Sequence, residues 1–181
     1  MPVLIDHLED YLGPIEAVFP ESQSGTKLPF LVAQFSEVFD SASAFVTIGL
    51  ASAPFAQELL LLALATTSDP PNFAFALQNA AMFALSRNSA LERGEVMGPY
   101  EELVHGYPFT AFYVALPVYF PAEFAATKDD DGKPVTILWL IPITTPEAEF
   151  VKQHGWNKFE DLLTEQDPDL TDFSRSPMQL S

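Results

Sequence analysis

The stretch from Val135 to Met178 constrains the fold more than any other. Seven residues, Ile137 to Ile143, form a dry apolar run that ends at Thr144-Thr145-Pro146. A helix pattern follows at once, with Glu147 and Glu149 in its first turn. A short charge-free run that stops at a proline reads as a strand buried on both faces. The helix pattern breaks at His154-Gly155, and a second one continues to about Glu165. The chain then closes on Asp172-Phe173-Ser174-Arg175.

Upstream, charged and uncharged blocks alternate. Val3 to Leu12 places Leu4, Ile5, Leu8 and Leu12 on one helical face, and Gly13-Pro14 stops it. Glu21 to Lys27 is a loop, Phe30 to Phe39 reads as a strand, and Ala44 to Gly49 as another. The segment Glu58 to Ala65 (ELLLLALA) has helical propensity but the length of a buried strand, and periodicity does not decide between them. Asn72 to Arg87 is a clear helix, with Phe73, Leu77, Ala80, Ala81, Ala84 and Leu85 at helical spacing. Glu92 to Glu102 is a polar connection. Phe109 to Phe120 and Val135 to Ile143 read as strands pairing antiparallel around an Asp129–Lys133 turn, with Asp131-Gly132 at its tip. The expected class is α+β: a mixed, largely antiparallel sheet with packed helices.

The order of parts after Val135 resembles the end of the suppressor-of-fused domain family. The shared features are a strand ending in Pro142-Ile143-Thr144, a Glu-containing helix, the His154-Gly155 break, a short acidic helix and a final Asp172-x-x-Arg175. Phe45 to Ser52, Pro54 and Glu58-Leu59-Leu60 look like the family's strand ending in Gly-x-Ser, followed by the Glu-Leu that opens the next strand. One departure is Ala51, which stands between Leu50 and Ser52. The resemblance covers about residues 28–178 and implies one suppressor-of-fused-like domain across 1–181. It also tips Glu58 to Ala65 toward strand.

The family is defined by fold and protein binding. Its single-domain bacterial members are proposed to be immunity proteins that neutralise toxin domains. Its animal member sequesters a transcription factor by adding an extended peptide to its sheets. That protein has a second domain and a regulatory insert, so its partner is not carried over to these 181 residues.

Charge narrows the choice of partner. Eight Lys and Arg face 25 Asp and Glu, a net charge of −17 spread over both halves of the chain. Such a surface repels nucleic acid and anionic membranes and attracts basic proteins. The hydrophobic fraction of 48%, with sixteen Phe, supplies a core, so disorder is not expected for most of the chain. No cysteine is present, which removes disulfides and thiolate metal sites. The N-terminus has neither a basic n-region nor an apolar h-region, and prolines interrupt the longest uncharged runs. A cytoplasmic location is the expectation.

Catalytic signals are sparse. His7, His105 and His154 show no ligand-pair spacing, and both His105 and His154 precede Gly. Asp129 and Asp131 lack the anchoring carboxylates of a calcium loop. No Gly-x-Ser-x-Gly elbow or phosphate-cradling loop occurs. Glu101-Glu102 and Glu160-Asp161 read as solvated helix faces rather than glycosidase pairs. No cofactor or metal is expected.

Asp172 and Arg175 are expected to form an ion pair fastening the C-terminal segment, or else a clamp for a ligand carboxylate. Trp139 belongs to the core, and Trp156 to the core or an interface. The candidate partner-binding residues are Asp129, Asp130, Asp131, Trp156, Glu160, Asp161, Asp172 and Arg175. The leading expectation is a non-catalytic protein-binding module of immunity type, with a protein partner such as a basic toxin domain. A peptide adaptor acting by strand addition and an enzyme with an unrecognised site are the alternatives.

Overall fold

The computed structural model describes residues 2–39, 41–65 and 69–181. Among these residues one eight-stranded sheet runs in the order β1-β2-β3-β4-β8-β6-β5, with β7 also paired to β8. The strands are β1 (Ile15–Glu21), β2 (Lys27–Val38), β3 (Ala42–Ile48), β4 (Gln57–Leu64), β5 (Val96–Met97), β6 (Ala111–Ala115), β7 (Ala126–Lys128) and β8 (Pro134–Ile143). Only β4 and β8 pair in parallel; every other described pair is antiparallel.

Helices cover both faces. One core joins α2 (Pro70–Arg87) to inward residues including Phe45, Leu59, Leu61, Phe112, Leu138 and Leu140. The opposite core includes Val46, Leu60, Leu62, Tyr113, Trp139 and Ile141. It lies beneath α1 (Val3–Leu12), α3 (Thr145–His154) and α4 (Trp156–Gln166). This arrangement explains ELLLLALA. In β4, Leu59 and Leu61 face one core while Leu60 and Leu62 face the other, all fully buried. A central strand needs apolar side chains on both faces, so burial overrides the helical propensity of Leu and Ala.

The sequence expectation for the hairpin is right in pairing and wrong in connection. β6 pairs antiparallel with β8, from Ala111 opposite Ile143 to Ala115 opposite Trp139. The strand stops at Ala115 rather than reaching Phe120. Pro117 and Pro121 cannot donate to a ladder, so the chain leaves the sheet just before the first of them. A short 3-10 helix (Ala122–Ala125) then leads into β7, and the Asp129–Lys133 reversal joins β7 to β8. Three strands escaped the sequence pattern: edge strand β1, the two-residue β5 inside the polar connection, and the three-residue β7.

Candidate functional site

Two buried carboxylates organise the chain, and both lie in the stretches that carry the family resemblance. Glu58, at the start of β4, is wholly buried. Its Oε2 accepts from Thr47 Oγ1 at 2.6 Å, and its Oε1 accepts from the Gly49 and Ala51 amides at 2.9 and 3.0 Å. The Leu59 amide donates to Thr47 Oγ1 at 2.8 Å. Glu58 thus closes the reversal between β3 and β4, where Gly49 has a φ of 101° that suits glycine. Burial raises its pKa to about 7, against the pull of these hydrogen bonds.

Glu147 is the second. It completes a capping box with Thr144 at the N-terminus of α3. Its Oε1 and Oε2 accept from Arg175 Nη1 and Nη2 at 3.0 and 3.1 Å, and Oε1 also accepts from the Met178 amide at 2.9 Å. Arg175 donates further to the Pro142 carbonyl at 3.1 Å and lies 4.9 Å from the Phe109 ring centre. Burial pushes the Glu147 pKa up, but the Arg175 hydrogen bonds and charge outweigh it and hold the group below its ordinary value. The arginine therefore fastens the C-terminal segment, as one sequence reading held. Its partner is Glu147 rather than Asp172, whose Oδ1 instead accepts from the Ser174 amide and hydroxyl.

The other sequence candidates fall on separate surfaces. In the β7–β8 turn, Asp129 accepts from the Asp131 and Lys133 amides, and Asp130 accepts from the Val3 amide at the start of α1 at 2.7 Å. Asp131 is exposed near Lys133. On α4, Glu160 is not simply a solvated helix residue: Arg93 forms a two-pronged ion pair with it, and the Tyr113 hydroxyl donates to it at 2.9 Å. Burial, then the Glu160 carboxylate, push the Tyr113 phenol well above its ordinary pKa. Arg93 also sits 4.8 Å from the Trp156 ring centre, and Trp156 is 37% exposed. Asp161 is exposed. No hydrogen bond or ion pair among the described residues links the hairpin tip to the α4 group.

A surface missed at the sequence level lies beside α4. Three hollows of about 460, 350 and 470 Å³ all include Tyr119 in their walls. Around them Leu116, Val118, Tyr119 and Phe39 are exposed, Val118 at 71%. The Phe39 ring packs on Phe120 at 4.9 Å and meets Tyr119 at 6.1 Å. Glu37, Asp167 and Asp169 lie on the walls, and Arg93, the one cation among the described wall residues, is occupied by Glu160. The available signal was Pro117 and Pro121. Two prolines bracketing apolar residues exclude a ladder strand and leave those side chains without sheet neighbours.

The three histidines lie apart: the His7 Nε2 faces the Phe124 carbonyl, His105 contacts Glu102, and His154 packs on Phe150. Among the described residues no three of His, Asp and Glu converge on a metal-sized site. No described helix is long and apolar enough to cross a membrane.

Comparison with known proteins agrees with this architecture. The family model for suppressor of fused protein (SUFU) matches residues 29–176. A Neisseria gonorrhoeae FA 1090 protein described as a suppressor-of-fused homolog superposes with a TM-score of 0.78 at 20% identity, covering 98% of this chain and 96% of that one. The Sufu–Fu complex structure gives 0.72 at 13% identity, with 97% and 90% covered. Drosophila Suppressor of Fused gives 0.71 at 12% identity, and this chain spans half its length. No curated protein sequence matches the chain.

Proposed function

The chain belongs to the suppressor of fused family, and from that premise we propose that it is a non-catalytic protein-binding module of immunity type, which binds and neutralises a basic toxin domain in the bacterial cytoplasm. The family is a non-enzymatic protein-binding family, and one of the similar structures is a complex. The carrying observation is the exposed apolar hollow around Tyr119, bordered by carboxylates, with the wall residue Arg93 already paired to Glu160. Apolar anchors inside a charged rim are the anatomy of a protein interface. A net charge of −17 favours a cationic partner, and a nuclease cleft built to hold phosphates has the matching sign.

Trp156, Glu160 and Asp161 on α4, with Asp172, would extend this surface, and the Asp129–Asp131 tip would be a second acidic contact. Strand addition has less to work with. Along β6 the Gly94 and Tyr100 amides already donate to Val114 and Thr110, and Val114 donates to Glu95. The β1 edge carries Glu16, Pro20 and Glu21, residues that blunt pairing.

Co-expression with the product of the adjacent gene tests the role. The proposal requires that product to be toxic alone and harmless beside this chain. Equal toxicity with and without the chain would refute it.

A further inference from the structure

We propose that the hollow around Tyr119 is the docking site for an extended segment of a basic protein, in which one large apolar side chain is flanked by lysine or arginine. The proposal rests on the protein-binding reading and gives that reading a specific partner chemistry.

Shape and apolarity come first. Leu116, Val118 and Tyr119 lie between or beside Pro117 and Pro121, outside the sheet, so they offer side-chain contact rather than a ladder edge. The hollow of about 460 Å³ between this segment and α4 has Trp139, Ile141 and Leu163 in its walls. That is ample room for one aromatic or branched side chain. Glu37 and Phe39 have φ of 59° and 53°, a conformation uncommon outside glycine, asparagine and aspartate. With this backbone the Phe39 ring stands 46% exposed against Tyr119 and Phe120 instead of entering the core.

Charge chooses the occupant. Arg93 is consumed by Glu160, which leaves Asp167 on the wall of this hollow, with Asp169 and Glu37 on the walls of the two hollows beside it. Among the described residues no ion pair engages any of these three, and only Asp169 accepts side-chain hydrogen bonds, from Thr171. The same field reaches Tyr119. Burial first, then the Asp169 and Asp167 charges, raise its phenol pKa against the Leu170 amide and Arg175. An apolar segment carrying Lys or Arg would fill the hollow and neutralise the rim, whereas an acidic segment of equal apolarity would be repelled.

The test uses a phage-displayed library of random peptides, panned on the full-length chain. Enriched peptides should place Phe, Trp, Leu or Met beside Lys or Arg. Synthetic versions should bind Val118→Asp at least about tenfold more weakly, because a charge then occupies the apolar contact. Val118 is so exposed that this variant should keep the wild-type melting curve. Asp167→Asn combined with Asp169→Asn should lower the association rate and leave dissociation nearly unchanged. Absence of enrichment, enrichment of acidic peptides, or equal binding to wild type and Val118→Asp would each overturn the docking site. Those results leave the protein-binding reading in place, because co-expression and complex formation with the adjacent-gene product test that reading separately.

Discussion

Glu58 links the fold to pH in a direction opposite to most carboxylates. It is fully buried, and its pKa rises from 4.5 to about 7 on folding. A raised folded pKa means that the native state holds the proton more tightly than the unfolded chain. The stabilisation is therefore fully present below the unfolded value and is lost as pH rises through the folded value. Between pH 5 and pH 8 this group alone should cost the fold about 2–3 kcal/mol. Both pH values lie above the isoelectric point of 4.2, so the chain stays anionic throughout.

Glu58→Gln isolates the effect. The amide keeps a carbonyl oxygen for the Gly49 and Ala51 amides and presents an NH₂ to Thr47 Oγ1. Urea unfolding of both proteins at pH 5 and pH 8 gives the difference in stability at each pH. The variant should gain on wild type by about 2–3 kcal/mol across this interval. An unchanged difference would refute the reasoning, because Glu58 would then titrate alike in the folded and unfolded chain.

Three further outcomes follow from the packing. Arg175→Ala leaves the fully buried Glu147 without its counter-ion and should cost about 3–5 kcal/mol, read from urea melts at neutral pH. In the wild type the lowered Glu147 pKa works in the usual sense: its stabilisation is present above about 4.5 and lost as pH falls through the lower folded value. Gly94→Ala drives a Cβ to within 2.5 Å of the Trp156 ring at a φ of 93°. It should displace that indole and shift its fluorescence, while Trp139, wholly buried, keeps its own emission. Phe173→Ala removes a ring packed on Phe73, Tyr107 and Phe109 and should cost about 3–5 kcal/mol by thermal melting.

Much of this architecture was legible because local signals and burial agree. Val3–Leu12 has the same bounds in sequence pattern and structure, since Leu4, Leu8 and Leu12 make one buried stripe. The Thr144-Thr145-Pro146 stop and the His154-Gly155 break both fall at helix boundaries, where a capping box and a glycine at φ 89° set the ends. β1 was not legible, because an edge strand with Val18 half exposed and Glu16 and Glu21 interspersed lacks a dry apolar run. Asp172 and Arg175 drew attention as a terminal Asp-x-x-Arg in a chain with only eight basic residues, yet the partner of Arg175 lies 28 residues away across the fold. The Tyr119 hollow was hidden for a similar reason. Phe39, Tyr119 and Asp167 come from three distant segments, and no spacing rule brings them together.

The proposed role rests on capture of a cationic protein by this acidic surface. Its most direct test is the salt dependence of binding kinetics, measured with the purified adjacent-gene product on the immobilised chain. The Debye length falls from ~10 Å at 0.1 M to ~3 Å at 1 M salt, so steering by the surface should fade over that range. The association rate should drop by about tenfold or more, with the dissociation rate changing far less. An association rate indifferent to salt, or the absence of a complex at 0.1 M, would contradict it.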